Sequence, residues 1–300
     1  MKRIFSLSII ITIFVSLFNL TGNLQNYTYA NSVHESVYSN NPTEQSSIGI
    51  LSTSVYPDNA VVKYGEKIYI NYSFNAEAHP VLINIYKDGV LQADYYYKPS
   101  SWGDHFSYEP KDEGSYRFVV KPTDQPYYTN ECTVTVYKDR IIFLPGIMGS
   151  ELFLGDEQVW EPEDSKNVPR IREQINSLQM SALGESKNSI SVRNSISDYD
   201  GILAFFKNEG YHVVDFPYDW RLGSSINAQK LKERINIERA ASPYSNYYIV
   251  AHSMGGLVAT EFIRQGNSNL IKKLITIGTP FLGAPQAFNM LETGNLTMNT

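Results

Sequence analysis

The chain has 300 residues, 42% hydrophobic and 19% charged, a balance that excludes wholesale disorder and leaves length for two medium domains. Its net charge is −6, and residues 1–30 carry Lys2 and Arg3 but no acid, so their removal would leave −8; so acidic a chain excludes nucleic acid as the expected partner. A single cysteine, Cys132, excludes an internal disulfide and a cysteine-based zinc site.

Residues 1–30 read as a secretory signal peptide: Lys2 and Arg3 form the positive start, 4–20 are an apolar run, and Thr28-Tyr29-Ala30 is a small-x-small cleavage site. The run is barely shorter than the ~20 residues of a membrane span, so an uncleaved anchor is the alternative. Residues 31–47 are rich in Ser, Asn, Pro and Glu and read as a flexible leader. The expected location is secreted or cell-surface, and export without disulfides suits a bacterial source.

From 48 to 138 short alternating runs are split by turn residues, at the spacing of an antiparallel sandwich. Ile68, Ile70, Tyr72 and Phe74 share one face of a strand; Cys132, Val134 and Val136 share another, which makes Cys132 a buried, inert thiol. Residues 81–86 and 90–97 flank Lys87-Asp88-Gly89 and read as a hairpin. Asp112-Glu113-Gly114-Ser115-Tyr116 resembles the tyrosine corner of immunoglobulin-like domains, with Phe118 where an antibody domain has its second cysteine. Tyr95, Tyr96, Tyr97 and Trp102 are either ordinary strand residues at an edge, the favoured alternative, or an aromatic surface for a glycan or partner. The segment's expected role is spacing or cell-surface attachment.

At 139 the pattern changes from alternation to continuous burial. Ile141, Ile142, Phe143 and Leu144 form a short strand that stops at Pro145-Gly146; a helix is predicted over 197–209, a strand over 212–216, a helix over 226–241, and strands over 247–250 and 272–277. Alternating strands and crossover helices imply a parallel, doubly wound sheet whose sites lie at the carboxyl ends of the strands. Between the strand at 247–250 and a helix running to Gly266 lies Ala251-His252-Ser253-Met254-Gly255, a small-x-Ser-x-Gly turn of the nucleophile-elbow type. Such a turn exposes a serine hydroxyl to a base from another loop and aims the following backbone N–H at a developing oxyanion.

Four motifs fall on this one rim: FLPGIMGSEL (143–152), FPYDWR (216–221), AHSMGG (251–256) and ITIGTPFLGAP (275–285). In this order they resemble the serial motifs of the lecithin:cholesterol acyltransferase family, α/β-hydrolases that include lysosomal phospholipase and phospholipid:diacylglycerol acyltransferases. The resemblance covers about 140–285. It implies transfer of a fatty acyl group from a lipid ester to serine and then to an alcohol or water, at a membrane or lipid surface. Carried onto this sequence, it makes Ser253 the nucleophile and the backbone N–H groups of Ile147 and Met254 the oxyanion hole. It places Met148 and Trp160 in contact with substrate and residues 152–160 in a lid.

The fold class expected is therefore α/β: a partial α/β-hydrolase over 139–300, short of its C-terminal strands, after an all-β immunoglobulin-like sandwich over 48–138. Asp219 and Arg221 are expected to form a buried pair beneath the site, and His252 to be packing rather than the base. No Asp or His follows Ser253, and the acids that do are Glu261, on the elbow helix, and Glu292. Since the triad of this fold runs Ser, acid, His, these 300 residues are expected to be a truncated product or a fragment, inactive alone. No P-loop, dinucleotide fingerprint or metal-ligand cluster is present, so no cofactor or metal is expected. Two alternatives stand beside lipid acyl transfer: a secreted carboxylesterase on small or cell-wall esters, and a non-catalytic surface protein retaining a defunct hydrolase half.

Overall fold

The computed structural model describes residues 53–74, 78–99, 103–162 and 167–285. All of these fall within one compact unit, Gly49–Thr300. The expected signal peptide and leader, Trp102 and the segment after 285 lie outside them.

The first half is entirely β. Strands β1 (Thr53–Pro57), β3 (Ile68–Phe74) and β6 (Gly103–Tyr108) form one antiparallel sheet. Strands β2 (Val61–Lys63), β8 (Asn130–Tyr137), β7 (Gly114–Pro122), β4 (Val81–Lys87) and β5 (Val90–Tyr97) form a second, antiparallel except where β2 joins β8 in parallel. Both sheets contribute to one apolar core: Ile68, Ile70, Tyr72 and Phe74 from β3 meet Val81, Ile83, Ile85, Phe118, Val120 and Val134. The predicted alternation of β3 is what is observed. Asp88 and Gly89, at φ 49° and 84°, make the tight two-residue turn expected between β4 and β5. At the start of β7 the Tyr116 hydroxyl donates to the Asp112 carbonyl (3.0 Å), the back-bond expected of the DEGSY segment. Strand β5 is an edge and its tyrosines 95, 96 and 97 are exposed.

The second half is built on four parallel strands in the order β13 (His212–Asp215), β9 (Arg140–Leu144), β14 (Tyr247–His252), β15 (Lys273–Ile277). Every residue of β9 is buried, as its unbroken apolar run requires of a strand covered on both faces. From β9 the chain passes to one side, to β13, and returns to the other, to β14. That reversal makes the carboxyl ends of β9 and β14 the switch point of the sheet, the place where open parallel sheets bind ligands. Helices α2 (Asp200–Asn208), α3 (Ser224–Ala241) and α4 (Met254–Phe262) supply the crossovers. Leu231 and Ile235 of α3 and Val258 and Phe262 of α4 close the core around Ile142, Leu144 and Ile249.

Two expectations need revision. The helix predicted from 197 begins as a single 3-10 turn over Ser197–Tyr199 and becomes α-helical at Asp200. Residues 152–160, expected as a lid, belong to a hairpin of β10 (Ser150–Leu154) and β11 (Glu157–Trp160). Its β10 also pairs with β12 (Ile190–Ser195), and Leu152, Phe153 and Val159 are buried. Paired backbone and buried apolar side chains make this a packed sheet, not a free flap. Between β11 and β12 the sequence offered no element, yet α1 (Val168–Ser177) forms there, capped by the Asn167 side chain and with Pro169 in its first turn.

Charged contacts join the two halves. Glu113, beside the Tyr116 corner, accepts from Arg140 (3.1 Å) and from His212 Nδ1; Lys63 donates to Asp139 (2.6 Å), and Lys138 pairs with Asp112 (2.7 Å).

Candidate active site

Strand β14 ends at His252 and α4 begins at Met254, leaving Ser253 alone to reverse the chain at φ 50°, ψ −121°. A side-chain-bearing residue in this region carries about 1–3 kcal/mol of strain, sustained only when its neighbours over-determine it. They do so on both sides. The Ser253 amide donates to the Ile277 carbonyl of β15 (2.8 Å), and its carbonyl accepts from Gly256 (3.0 Å). A Cβ at Gly255 would stand 2.5 Å from the Pro145 carbonyl oxygen, and one at Gly256 would stand 1.9 Å from Thr279 Oγ1. Ala251 is fully buried. The small residues around the serine are thus the consequence of α4 being pressed onto the ends of β9 and β15, and the serine itself stays half-buried at the surface.

Facing it is the turn after β9. Gly149 donates to the Gly146 carbonyl (3.1 Å), and Met148 takes a left-handed φ of 60°, so Ile147 and Met148 are the central residues of a tight turn with positive φ at its second position. A Cβ at Gly146 would lie 3.1 Å from Ser253 Cβ and 2.9 Å from His252 Nδ1, so the turn abuts the elbow directly. Ile147 turns its side chain outward and is 55% exposed. Among the described residues the N–H groups of Ile147 and Met254 meet no acceptor, and Met254, as the first residue of α4, lies at the positive end of the helix dipole.

The FPYDWR segment braces this turn from below. The Tyr218 hydroxyl donates to the Pro145 carbonyl (2.9 Å), the Tyr218 amide donates to Ser150 Oγ (3.1 Å), and Trp220 Nε1 to the Ser150 carbonyl (3.4 Å). Asp219 and Arg221 pair through two contacts of 2.9 and 2.7 Å with side chains 6% and 4% exposed. Arg221 continues to the Leu178 carbonyl and Ser186 Oγ, so the pair ties the loop after α1 to the end of β13. Trp160, expected to touch substrate, donates to the Met148 carbonyl (2.8 Å) and lies edge-on to Trp220, 5.5 Å away. It therefore stands beside the turn that carries Ile147.

Sequence reasoning missed Tyr199. Its hydroxyl accepts from the Gly146 amide (2.9 Å) and is 2.9 Å from His252 Nδ1, and its ring packs against Phe143. Burial lowers the pKa of His252 and raises that of Tyr199, so both are neutral near pH 7. No local pattern around Ser197-Asp198-Tyr199 marks this tyrosine; only the packing of the 3-10 turn against β9 and β14 does. A cavity of about 480 Å³ opens beyond the end of β13, with Ile190, Val192, Phe216, Pro217 and Leu222 in its wall and Lys230 lining it too. Among the described residues no group of three His, Cys, Asp or Glu side chains is placed to hold a metal ion, and no helix is long and apolar enough to cross a membrane.

Residues 186–299 match the family model of lecithin:cholesterol acyltransferase. The uncharacterized protein YJR098C of Saccharomyces cerevisiae is 39% identical over 74 residues, which are 24% of this chain and 11% of the yeast protein. Among solved structures, the superoxide reductase (neelaredoxin) of Ignicoccus hospitalis aligns over 29% of this chain and 80% of its own at 11% identity and a TM-score of 0.23. A CARDB domain of Pyrococcus furiosus aligns over 29% and 88% at 14% identity and a TM-score of 0.22. Likenesses at this level carry no argument about fold or chemistry.

Proposed function

We propose that Ser253 takes an acyl group from a lipid ester as an acyl-serine and passes it to an alcohol or to water, a reading supported by the match of residues 186–299 to the lecithin:cholesterol acyltransferase family model, which implies lipid acyl transfer of the phospholipase type. In the first half-reaction Ser253 Oγ bonds to the ester carbonyl carbon, the carbon–alkoxy bond breaks, and the serine proton leaves with the departing alcohol through a base. In the second, an acceptor hydroxyl attacks the acyl carbon and Ser253 recovers its proton. The N–H groups of Ile147 and Met254 hold the oxyanion in both, and one such donor is worth about 2.7–4 kcal/mol of barrier. The fold we propose for 139–285 is an α/β-hydrolase core, and for 48–138 an immunoglobulin-like domain used for spacing or attachment at the cell surface after export.

The observation that carries this reading is the Ser253 backbone, at φ 50° and ψ −121° between a buried parallel strand and a helix, with the Gly146 turn against it. A serine that merely opened a helix would need neither the strained φ nor the two glycines behind it. His252 is held at Nδ1 by Tyr199 and is not assigned the role of base. The test is hydrolysis and alcoholysis of phospholipids and of p-nitrophenyl esters of increasing chain length by the full gene product carrying this sequence. Ser253→Ala is expected to lower kcat by at least about a thousandfold. Turnover that survives the substitution refutes the assignment, and preference for short esters with no transfer to alcohol would mark a simple carboxylesterase instead.

A further inference from the structure

Tyr199 stands on the turn before α2, more than fifty residues from the elbow in sequence, and meets both halves of the candidate site with one oxygen. The Gly146 amide donates to it at 2.9 Å, and His252 Nδ1 lies 2.9 Å from it. The ring leaves no slack: it packs 5.1 Å from Phe143 and 5.7 Å from His252, measured between centroids, and a Cβ at Gly149 would stand 2.9 Å from its edge. A phenol oxygen that already accepts one hydrogen bond has a single proton to give. The acceptor in reach is His252 Nδ1, so the arrangement that satisfies all three groups has Tyr199 donating to Nδ1 and the histidine proton on Nε2.

Two consequences follow for the rim. The Gly146 N–H is consumed by Tyr199, which leaves the next amide, that of Ile147, as the free donor of the turn. The turn and the elbow are also joined through one side chain, so the separation between the Ile147 amide and Ser253 is set by a path of two short hydrogen bonds instead of by loop flexibility. We infer that Tyr199 is a positioning residue, a pin that holds the oxyanion turn against the elbow and fixes His252 as its Nε2–H tautomer. The catalytic consequence rests on the acyl-transfer reading; the pin itself does not.

The variant Tyr199→Phe keeps the ring against Phe143 and removes only the hydroxyl. In the full gene product carrying this sequence, nitrogen NMR of His252 should report an unprotonated Nδ1 in the parent and a redistribution between the ring nitrogens in Y199F. Exchange of the Gly146 amide with solvent should rise at least about tenfold. In turnover, kcat should fall about 10- to 100-fold with KM little changed, as for displaced rather than absent catalytic groups. A parent whose Nδ1 carries the proton, or a Y199F protein in which the His252 resonances and Gly146 exchange are unchanged, overturns the pin. Should Y199F not fold, the parent decides by itself: an unprotonated His252 Nδ1 together with slow Gly146 exchange is expected, and an Nδ1 that carries the proton or a Gly146 amide that exchanges as fast as an exposed one overturns the proposal. A parent with no turnover sensitive to Ser253→Ala would instead overturn the function assigned to the site, while the two NMR readouts still decide the role of Tyr199.

Discussion

The charged contact between the β half and the parallel sheet has a calculable pH signature. Glu113 is opposed by burial, which pushes a carboxyl up, but the hydrogen bonds and charges of His212 and Arg140 outweigh it and hold Glu113 at about 2, against an ordinary 4.5. Because the folded value is the lower one, the stabilisation is fully present above about 4.5 and is lost as the pH falls toward about 2. At about 1.4 kcal/mol per pH unit the interval corresponds to about 3 kcal/mol. The side chain is 23% exposed, so solvent screening reduces this to about 2 kcal/mol. Glu113→Gln preserves shape and removes the charge, leaving Arg140 with Glu238 at 3.6 Å and the Lys138 carbonyl at 3.3 Å. Urea unfolding at pH 7 should show Glu113→Gln less stable by about 2 kcal/mol, and thermal unfolding should show a Tm about 4–8 °C lower. Repeated at falling pH, the gap between variant and parent should close from about pH 4.5 downward, because the parent loses the contribution that the variant never had. Equal midpoints at pH 7, or a gap that stays constant down to pH 2, would refute the account.

Replacing Asp219 by Ala strands the Arg221 guanidinium, whose side chain is 4% exposed; a loss of about 3–5 kcal/mol in equilibrium unfolding is expected, and a loss under 1 kcal/mol would show that the pair is not structural. Cys132, expected as buried, is only partly buried against the sandwich core, yet burial still pushes it up to about 11, so native protein at pH 8 should react with iodoacetamide on the order of a hundredfold more slowly than after unfolding in urea, and equal rates would contradict that shift.

What could be read from the sequence divides along a physical line. Strands β9 and β14 were legible because a strand covered on both faces needs an unbroken apolar run, and each run stops at small residues forced by the packing beyond it. The β4–β5 hairpin was legible because Asp88-Gly89 is among the few pairs that accept two positive φ values. Helix α1 was missed although Val168, Ile171 and Ile175 recur at helical spacing: its buried residue is Gln174 and Val168 and Ile175 stay exposed, so the apolar positions do not mark a core face, and the remaining signal was the Asn167 cap and Pro169. Strand β12 was hidden for a related reason: its place is set by pairing with β10, some forty residues earlier, and ISVRNS is only weakly alternating. The site divides in the same way. Ser253 and the Ile147 turn follow from local backbone demands, whereas Tyr199 and the Glu113–His212 contact exist only because distant segments meet.

That division implies an asymmetry in which substitutions the rim tolerates. If the oxyanion is held by the Ile147 and Met254 amides, their side chains take no part, and Ile147 points into solvent. The constraint falls on residues that never approach substrate: Gly146 because His252 and Ser253 leave it no room, Gly255 because the Pro145 and Leu144 carbonyls do not, Gly256 because Thr279 does not. Each added methyl would separate two of the three segments that meet here, and a displacement of about 1 Å between catalytic groups can cost a hundredfold in rate. Substituting the side chains of Ile147 or Met254, which flank Ser253, should therefore do less harm than substituting the glycines behind them, the reverse of what distance from Ser253 alone would lead one to expect.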